Sequence, residues 1–387
     1  MSEQVPAKQL DFDRCTLWGG RLRVLLNSNQ ISYGEINELL REKGIFLDST
    51  EKSITVPLLS SCLLTPEELG RLISRSYSRE SLEKYKTEKV TLISPTVDWH
   101  GAILENFEGL VGGINLESGH DFIDRPRVIR HPSGELEIQY KIKKEDYSKD
   151  WIEQELHFFG GLIISKRNGE LILELQKTHT SKETDRINGI LVKALNKQWK
   201  DNLISKDQVS ESIRFDDFTN EERISFFLYL TGAEKKNLVF DEINDIEIVR
   251  YESAGSLPKD PEISWMEGRV KKIKVNGKNL DKLGLLTNKR FHNFCLLVKM
   301  SAIYEFRLGA VTGKCSINFW FGGKSSFEND FSNTELNMSI ERITRLDKNA
   351  EKEVRRGILR NLCDLQDIAM KKILLKRIEN QAEVATA

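Results

Sequence analysis

The chain has 387 residues, of which 39% are hydrophobic and 30% charged, and its 58 basic residues nearly balance its 59 acidic residues. This length exceeds one ordinary hydrophobic core and predicts several domains, while the balanced charge excludes a whole-molecule attraction to nucleic acid or to an anionic membrane. Because no run reaches the roughly 18 apolar residues that cross a bilayer, the sequence predicts a cytoplasmic protein without a membrane partner.

Residues 1–88 are predicted to form a small, mainly helical unit. An apolar run at residues 22–26 predicts a strand. Ser32 is a favourable N-cap for a helix over residues 32–42. The run Thr65-Pro66-Glu-Glu68 then opens a second helix, because Thr caps it, Pro suits its first turn and Glu closes a capping box.

This second helix carries Arg71 and Arg75, spaced to share one face. Small helical units of this kind include winged-helix modules, so the two arginines are candidate nucleic-acid contacts. Neighbouring Glu67 and Glu68 dilute the positive charge. A solvated helix in an ordinary helical subdomain explains the same pattern, and the two interpretations stay open.

Residues 89–200 are predicted to form a central mixed α/β domain. Short apolar runs at residues 90–93, 110–114 and 135–142 predict strands, and the third alternates polar and apolar residues as a half-exposed strand does. The composition of residues 131–134, His-Pro-Ser-Gly, predicts a turn before it.

Within this domain, residues 151–199 predict a charged helix, two short strands that meet at Asn168-Gly169, and an amphipathic helix. Alternation along the second strand places Glu174 and Gln176 on one face and Lys177 on the other. The pattern is similar to the Glu-x-Lys strand of many nucleases, in which carboxylates bind Mg²⁺ and the Lys or Gln orients the attacking water.

The comparison makes Glu155, Glu174 and Gln176 the candidate catalytic residues, with Glu155 or its neighbour Glu153 as the helix carboxylate. Gly160-Gly161 stands where these nucleases carry a metal-binding Asp. This departure favours a degenerate nuclease-like core, so Mg²⁺ is expected only if the core is active. No pair of Cys or His residues has metal-ligand spacing, and no other metal site is predicted.

The segment just before the amphipathic helix supplies three candidate phosphate-binding residues, Thr178, His179 and Thr180. Free backbone N–H groups and the helix dipole favour an anion at such a position. Thr180 and Glu183 also have the spacing of a capping box. In the alternative interpretation, the hydroxyl groups satisfy the helix end themselves.

Residues 201–346 are predicted to form an α+β domain. Its predicted elements are a helix over residues 220–231, strands over 243–251, 268–275 and 316–321, a hairpin turn at Asn276-Gly277, and a buried helix over 291–306.

Residues 347–387 are predicted to form a long amphipathic helix and a tail. Apolar residues recur at helical spacing over residues 349–379. The candidate phosphate-binding residues on its other surface are Arg355, Arg356, Arg360, Lys371 and Lys372. Such a helix packs on its own domain, pairs with another subunit, or follows a phosphate backbone.

The predicted fold class is therefore a multi-domain α+β protein that ends in a long helix. The first functional hypothesis is an intracellular protein of bacterial type that binds DNA or RNA through a degenerate nuclease-like core, in genome defence. The alternative is a non-enzymatic interaction subunit of a homo-oligomer or of a complex with a protein partner. A second alternative is an Mg²⁺-dependent nuclease. The chain lacks the usual phosphate-binding loops and nucleophile motifs, which favours the non-enzymatic hypotheses.

Overall fold

The computed structural model describes residues 17–28, 31–49, 51–80, 82–149, 154–166, 171–207, 209–232, 237–261, 263–266, 270–322, 330–344 and 346–386, without the side chains of residues 74–80, 252, 348–349 and 383–386. The chain forms two compact units, each made of separated stretches. The first comprises Met1–Leu82, His100–Leu162 and Thr178–Leu195, and the second comprises Glu83–Trp99, Ile163–Lys177 and Asn196–Ala387. The division into four consecutive segments stays a prediction.

Helices and strands both contribute extensively, and the predicted α+β class is confirmed. The α-helices are α1 (Gly19–Asn27), α2 (Tyr33–Glu42), α3 (Lys52–Ser61), α4 (Pro66–Glu80), α5 (Trp99–Glu105), α6 (Phe107–Gly112), α7 (Lys182–Asp201), α8 (Asn220–Thr231), α9 (Gly284–Thr287), α10 (Lys289–His292) and α11 (Lys348–Thr386). The strands are β1 (Lys84–Thr91), β2 (His120–Arg130), β3 (Leu136–Glu145), β4 (Glu155–Lys166), β5 (Ile172–His179), β6 (Glu211–Ser212), β7 (Leu238–Arg250), β8 (Lys272–Asn276), β9 (Cys295–Leu308), β10 (Val311–Phe321) and β11 (Leu336–Ile343). None of the helices in the described part of the chain is both long and apolar enough to span a lipid bilayer.

Local capping chemistry positions two helices of the first unit where the sequence predicts them. Ser32 and Glu35 form a reciprocal capping box at the start of α2. At α4, the Glu68 side chain accepts from the Thr65 backbone N–H at 2.7 Å, and the Thr65 hydroxyl accepts from the Glu68 N–H at 3.2 Å. These contacts satisfy N–H groups that a helix start leaves without an intrahelical partner.

The predicted strand at residues 22–26 is wrong, because this segment belongs to α1. Leu22, Leu25 and Leu26 are fully buried at the i, i+3, i+4 spacing of one helical face. They join an apolar core formed by side chains of α1–α4. The predicted strand at residues 110–114 is wrong for a similar reason, since Leu110 is the buried residue of the short helix α6.

The β2–β3 pair of the first unit confirms the turn predicted at residues 131–134. The strands are antiparallel, from His120 opposite Lys144 to Arg130 opposite Leu136. The Gly134 N–H donates to the His131 carbonyl oxygen at 2.9 Å, and Gly134 adopts a φ of 85°, which glycine tolerates without strain. Within the sheet, β3 lies next to β4.

The charged helix predicted at the start of residues 151–199 is replaced by a strand, β4. Aromatic and β-branched residues, among them Phe158, Ile163 and Ile164, favour a pleated strand and outweigh the helical preference of the charged residues before them. The predicted Asn168-Gly169 turn lies outside the described residues. The amphipathic helix is present as α7.

The second unit is built on antiparallel strands in the order β5-β1-β11-β10-β9-β7-β8, with β6 paired to β1. Helices α8 and α11 contribute the other side of its apolar core, and α11 confirms the predicted long C-terminal helix. The core residues of α11 are Val354, Ile358, Leu359, Leu362, Leu365, Ala369 and Ile373.

The predicted helix over residues 291–306 is wrong, because residues 295–308 form β9. This strand lies between β7 and β10, and nine of its 14 side chains are buried, among them seven of the first eight. A strand covered on both faces shows a continuous apolar run, which sequence periodicity does not separate from a buried helix.

The prediction of a hairpin turn at Asn276-Gly277 is also wrong. The preceding strand, β8, pairs back onto β7 from Asn276 opposite Asp245, and the next strand is β9. The Gly277 N–H donates to the Asn244 carbonyl oxygen at 3.1 Å, which continues that earlier pairing. The dipeptide therefore ends a strand without reversing the chain into a new one.

Candidate functional site

The candidate catalytic residues of β5 are buried on one face of the strand. Glu174 and Gln176 both lie against Cys363 of α11. The Gln176 side-chain amide donates to the Cys363 sulfur at 3.1 Å, and the Thr87 hydroxyl lies 3.6 Å from the same sulfur. Burial raises the pKa of the Cys363 thiol well above its usual range, and the neighbouring Glu174 carboxylate raises it further. The thiol is therefore protonated and inert, since the thiolate is the reactive form.

Lys177 lies on the opposite face of β5, where two carboxylates bind it. Its ammonium group donates to Glu88 and lies 3.1 Å from Glu335 Oε2. Burial by itself lowers the pKa of Lys177, but Glu88 and Glu335 outweigh it and raise the pKa above its usual value. Lys86 lies 3.4 Å from the same Glu335 oxygen, and the Ser210 hydroxyl donates to Glu88. These five residues are called the Lys177 cluster below.

The Lys177 cluster is a structural ion-pair network. Buried charges persist in proteins when they are paired and hydrogen-bonded, and each member of this cluster has such a partner. A lysine bound in this way by two carboxylates lacks the freedom to orient an attacking water.

The third candidate catalytic residue, Glu155, lies in β4 and not in a helix. Its Oε1 is 3.0 Å from Nε2 of His157 in the same strand. Glu153, the other candidate, lies outside the described residues. Within the described stretches of the chain, no three side chains of the His, Cys, Asp or Glu type are grouped so that they could bind a metal ion.

Packing explains the glycines at the position of the expected metal-binding Asp. A Cβ atom at Gly160 would lie 2.3 Å from the Tyr140 hydroxyl oxygen, and one at Gly161 would lie 2.7 Å from the Ile138 carbonyl oxygen. The Tyr140 hydroxyl is fixed 2.8 Å from both the Thr184 carbonyl oxygen and Asn188 Oδ1. No carboxylate side chain fits at either glycine unless β3 and β4 move apart.

The groups predicted to bind phosphate before α7 are used within the protein. The Thr180 hydroxyl accepts from the Phe159 N–H at 3.0 Å and lies 3.2 Å from the Phe159 carbonyl oxygen. The N–H groups of Thr180 and Ser181 donate to the Thr184 hydroxyl at 3.2 and 3.0 Å. The predicted Thr180–Glu183 box is therefore displaced by one residue, because Ser181 and Thr184 cap the helix.

The remaining two residues of that predicted phosphate site are also engaged. Asn188 donates through its side-chain amide to the Thr178 carbonyl oxygen at 2.8 Å. His179 is buried, with Nδ1 3.8 Å from the Asp185 carboxylate. An anion at this helix end would have to displace these contacts and approach the Asp185 charge.

The basic residues of α4 are described in part. The Arg71 guanidinium forms a bidentate pair with Glu42, at 3.0 and 2.5 Å. Arg75 belongs to α4, but its side chain lies outside the described residues. The Arg71 charge is thus directed to a carboxylate of the same unit.

The basic surface of α11 is largely occupied by contacts within the second unit. Arg355 binds Glu351 at 2.9 Å and the Ile340 carbonyl oxygen at 3.2 Å, and Lys372 lies 5.1 Å from the centre of the Tyr229 ring. Arg356 and Arg360 make contacts as well. Lys371 is exposed.

Two further cations of α11 bind the acidic first turn of α8. Lys376 lies 3.5 Å from Glu221, and Arg377 binds Glu222 at 2.7 and 3.0 Å. The hydrogen bond from Arg377 lowers the pKa of Glu222 to about 2. Pairs of this kind fix α11 against α8 and neutralise positive charge that would otherwise attract phosphate.

A group of exposed apolar side chains on α11 was not among the candidate residues predicted from the sequence, although the sequence carries a signal for it. Leu374, Leu375 and Ile378 are 47%, 59% and 62% exposed. They lie outside the apolar stripe that ends at Ile373, so the sequence already shows that they cannot share its buried face. In contrast, the partners of Lys177 and Cys363 have no local signal, because they come from distant strands and helices.

Comparisons with known proteins cover the chain only in part. Residues 20–82, which contain α2–α4 and all but the first residue of α1, match the family described as GAPS4b protein N-terminal domain. This match spans less than half of the chain and does not assign the whole protein to that family. No curated protein gives a significant match.

Among solved structures, the crystal structure of DynU16, a protein in the dynemicin biosynthetic locus, shares 7% sequence identity with the chain. The alignment covers 75% of this chain and 98% of DynU16, with a TM-score of 0.21. A TM-score of this size carries no argument about fold or function.

Proposed function

We propose that this protein is a non-enzymatic interaction subunit that associates with another polypeptide through its C-terminal helix. The observation that carries the proposal is the exposure of Leu374, Leu375 and Ile378 together on α11. Clustered apolar side chains that remain in water mark association surfaces, since burying them against a partner is favourable.

The state of the predicted catalytic residues supports a non-enzymatic role. Glu174 and Gln176 are buried against a protonated thiol, and Lys177 is bound by carboxylates. A metal-dependent nuclease needs carboxylates that converge on a cation open to water and substrate. Neither face of β5 offers that arrangement among its described neighbours.

The nucleic-acid hypothesis stays a prediction, and the same contacts weaken its support. Arg71, Arg355 and Arg377 each bind a carboxylate within their own unit. Phosphate binding at these residues would first have to break those pairs. Affinity for nucleic acid arises mainly from basic side chains that neutralise phosphates, so cations already paired with carboxylates contribute little to it.

A capture experiment with the full chain tests the proposal. Chemical cross-linking and affinity purification should recover one stoichiometric partner, either another protein or a second copy, with the wild type. Leu375→Glu should lose it, and Leu104→Glu should retain it, because Leu104 is a comparably exposed leucine, at 44%, on the separate helix α5. A monomer that retains no partner would overturn the proposal.

Two assays test the competing hypotheses on the same samples. Incubation of plasmid DNA with Mg²⁺ or Mn²⁺ should leave it intact, whereas cleavage that Glu174→Ala abolishes would establish the nuclease alternative. Titration of labelled duplex and single-stranded DNA should show no binding at low salt. Tight binding that weakens steeply with salt would favour the nucleic-acid hypothesis over the interaction subunit.

A further inference from the structure

The last turns of α11 extend beyond the core of their unit. Ile373 is the last buried residue of the helix in its described part, and the helix continues to Thr386. At 1.5 Å per residue, this extension is about 20 Å long. Lys376 and Arg377 tie this extension to α8, but none of its described side chains is buried, so its apolar side chains remain for a partner to cover.

The exposed residues of this extension lie on one face. Lys371, Leu374, Leu375 and Ile378 follow the i, i+3, i+4, i+7 spacing, on the side of the helix opposite Ile373 and the rest of the core stripe. We call these four residues the outer stripe. Lys376 and Arg377 point elsewhere, since they bind α8, and they leave the outer stripe open.

Opposite charges lie at equal distances on the two sides of Leu375, the centre of the outer stripe. Lys371 lies four residues before Leu375 and exposed Glu379 lies four residues after it. An antiparallel copy of the helix, centred on Leu375, brings Lys371 of each chain to the level of Glu379 of the other. A parallel copy would instead place each Lys371 beside its equivalent, where like charges repel.

We propose that the occupant of the outer stripe is a second copy of this chain, which crosses it in antiparallel orientation with Leu375 at the two-fold axis. This inference rests on the proposed function and names its partner. The interface is isologous: one patch meets itself, and two Lys371–Glu379 pairs form together. About three helical turns make a contact smaller than a standard interface of about 800 Å² per partner, so association is concentration-dependent in the micromolar range.

Sedimentation velocity on the full chain, through the micromolar range, measures this association. The expected mass at the highest concentration is twice the 44.5 kDa of one chain. Leu375→Glu places two carboxylates at the axis and should remain monomeric throughout, with a dissociation constant raised at least about 100-fold. Leu104→Glu should dimerise as the wild type does.

Charge exchange tests the antiparallel arrangement. Lys371→Glu and Glu379→Lys should each weaken dimerisation about tenfold, because each variant places like charges together at two equivalent sites. The double variant restores both pairs with their signs reversed and should return to within about threefold of the wild type. Circular dichroism confirms that each variant is folded.

The outcomes separate the two proposals. A wild-type monomer at every concentration, or a double variant that is no better than the single ones, would overturn the antiparallel dimer. If another protein is nevertheless recovered in a Leu375-dependent manner, the interaction subunit survives and its partner is a different chain. If neither a second copy nor another protein is recovered, both proposals fail.

Discussion

The Lys177 cluster and the outer stripe invert the usual distribution of polar and apolar side chains. In the Lys177 cluster, charged groups are buried and paired, as between Lys177 and Glu88. On the outer stripe, Leu375 and Ile378 remain in water. Buried charges and clustered exposed apolar side chains are both informative departures from the general pattern.

The two departures differ in what they do for the protein. The buried charges are satisfied by partners within the second unit, so their effect is on folding and on the alignment of β1, β5 and β11. Leu374 and Leu375 lie outside the apolar core of the unit, and we propose that they act in association. The residue pattern that resembles a catalytic motif therefore lies among buried, paired side chains and not on the surface proposed for association.

The largest expected effect on the free energy of unfolding is in the Lys177 cluster. Lys177→Met leaves Glu88 buried without its cation and should lower the free energy of unfolding by about 3–5 kcal/mol. Urea denaturation at neutral pH measures the loss. Adding Glu88→Gln to the same chain should recover part of it, and a loss below about 1 kcal/mol would show that water reaches the cluster.

The close packing of β4 against β3 can be tested by a substitution at Gly161. Gly161→Ala forces a methyl group against the Ile138 carbonyl oxygen and should destabilise the protein by about 1–3 kcal/mol, since backbone atoms cannot rotate away. Gly112→Ala is the matched control, because a Cβ atom there meets open space. Equal thermal unfolding of the two variants would mean that room exists for a side chain at Gly161, and with it for the missing Asp.

The contact between α11 and α8 should make stability depend on pH. Arg377 lowers the pKa of Glu222 to about 2 from a usual value of 4.5. Glu222 thus binds a proton less tightly in the folded state than in the unfolded state. The Arg377–Glu222 pair therefore contributes to the free energy of unfolding in full above about pH 4.5, and this contribution is lost as the pH falls toward 2. Arg377→Gln should cost roughly 1–2 kcal/mol at pH 7, because partial exposure of Arg377 reduces the full value. Denaturation of both proteins between pH 7 and pH 3 should show this difference shrinking, whereas a constant difference would assign the effect of Arg377 to packing.

The smallest expected effect on folding is at the outer stripe. Leu375→Glu should change the free energy of unfolding of the dilute monomer by no more than about 0.5 kcal/mol, as exposed substitutions usually do. Urea denaturation below the association range provides the value. A large loss would show that Leu375 supports its own unit, which would remove the contrast between the two regions.

Local chemistry determined the elements that the sequence predicts correctly. The caps at Ser32 and Thr65 form hydrogen bonds within three residues, so no distant contact is needed to recognise α2 and α4. The apolar stripe of α11 is likewise readable because a long helix repeats its pattern many times. The α+β class follows from elements of this kind.

Tertiary structure decided the elements whose local signals were ambiguous. The apolar run of β9 becomes a strand because β10, which follows it directly, and β7, which lies more than 40 residues earlier in the chain, provide its hydrogen bonds on both sides. Leucines of α1 are helical because α2–α4 complete their core. Short apolar runs fit either form, and the form that buries them without losing backbone hydrogen bonds is selected by the neighbours.

The same division applies to the candidate site. Sequence alternation places Glu174 and Gln176 on one face of β5 and Lys177 on the other, because a strand has a period of two. Only the fold shows that Cys363 covers the first face and that Glu88 and Glu335 bind the second. Whether a carboxylate binds a metal or stabilises a core depends on which distant side chains approach it, and contacts between residues so far apart in the chain leave no local pattern in the sequence.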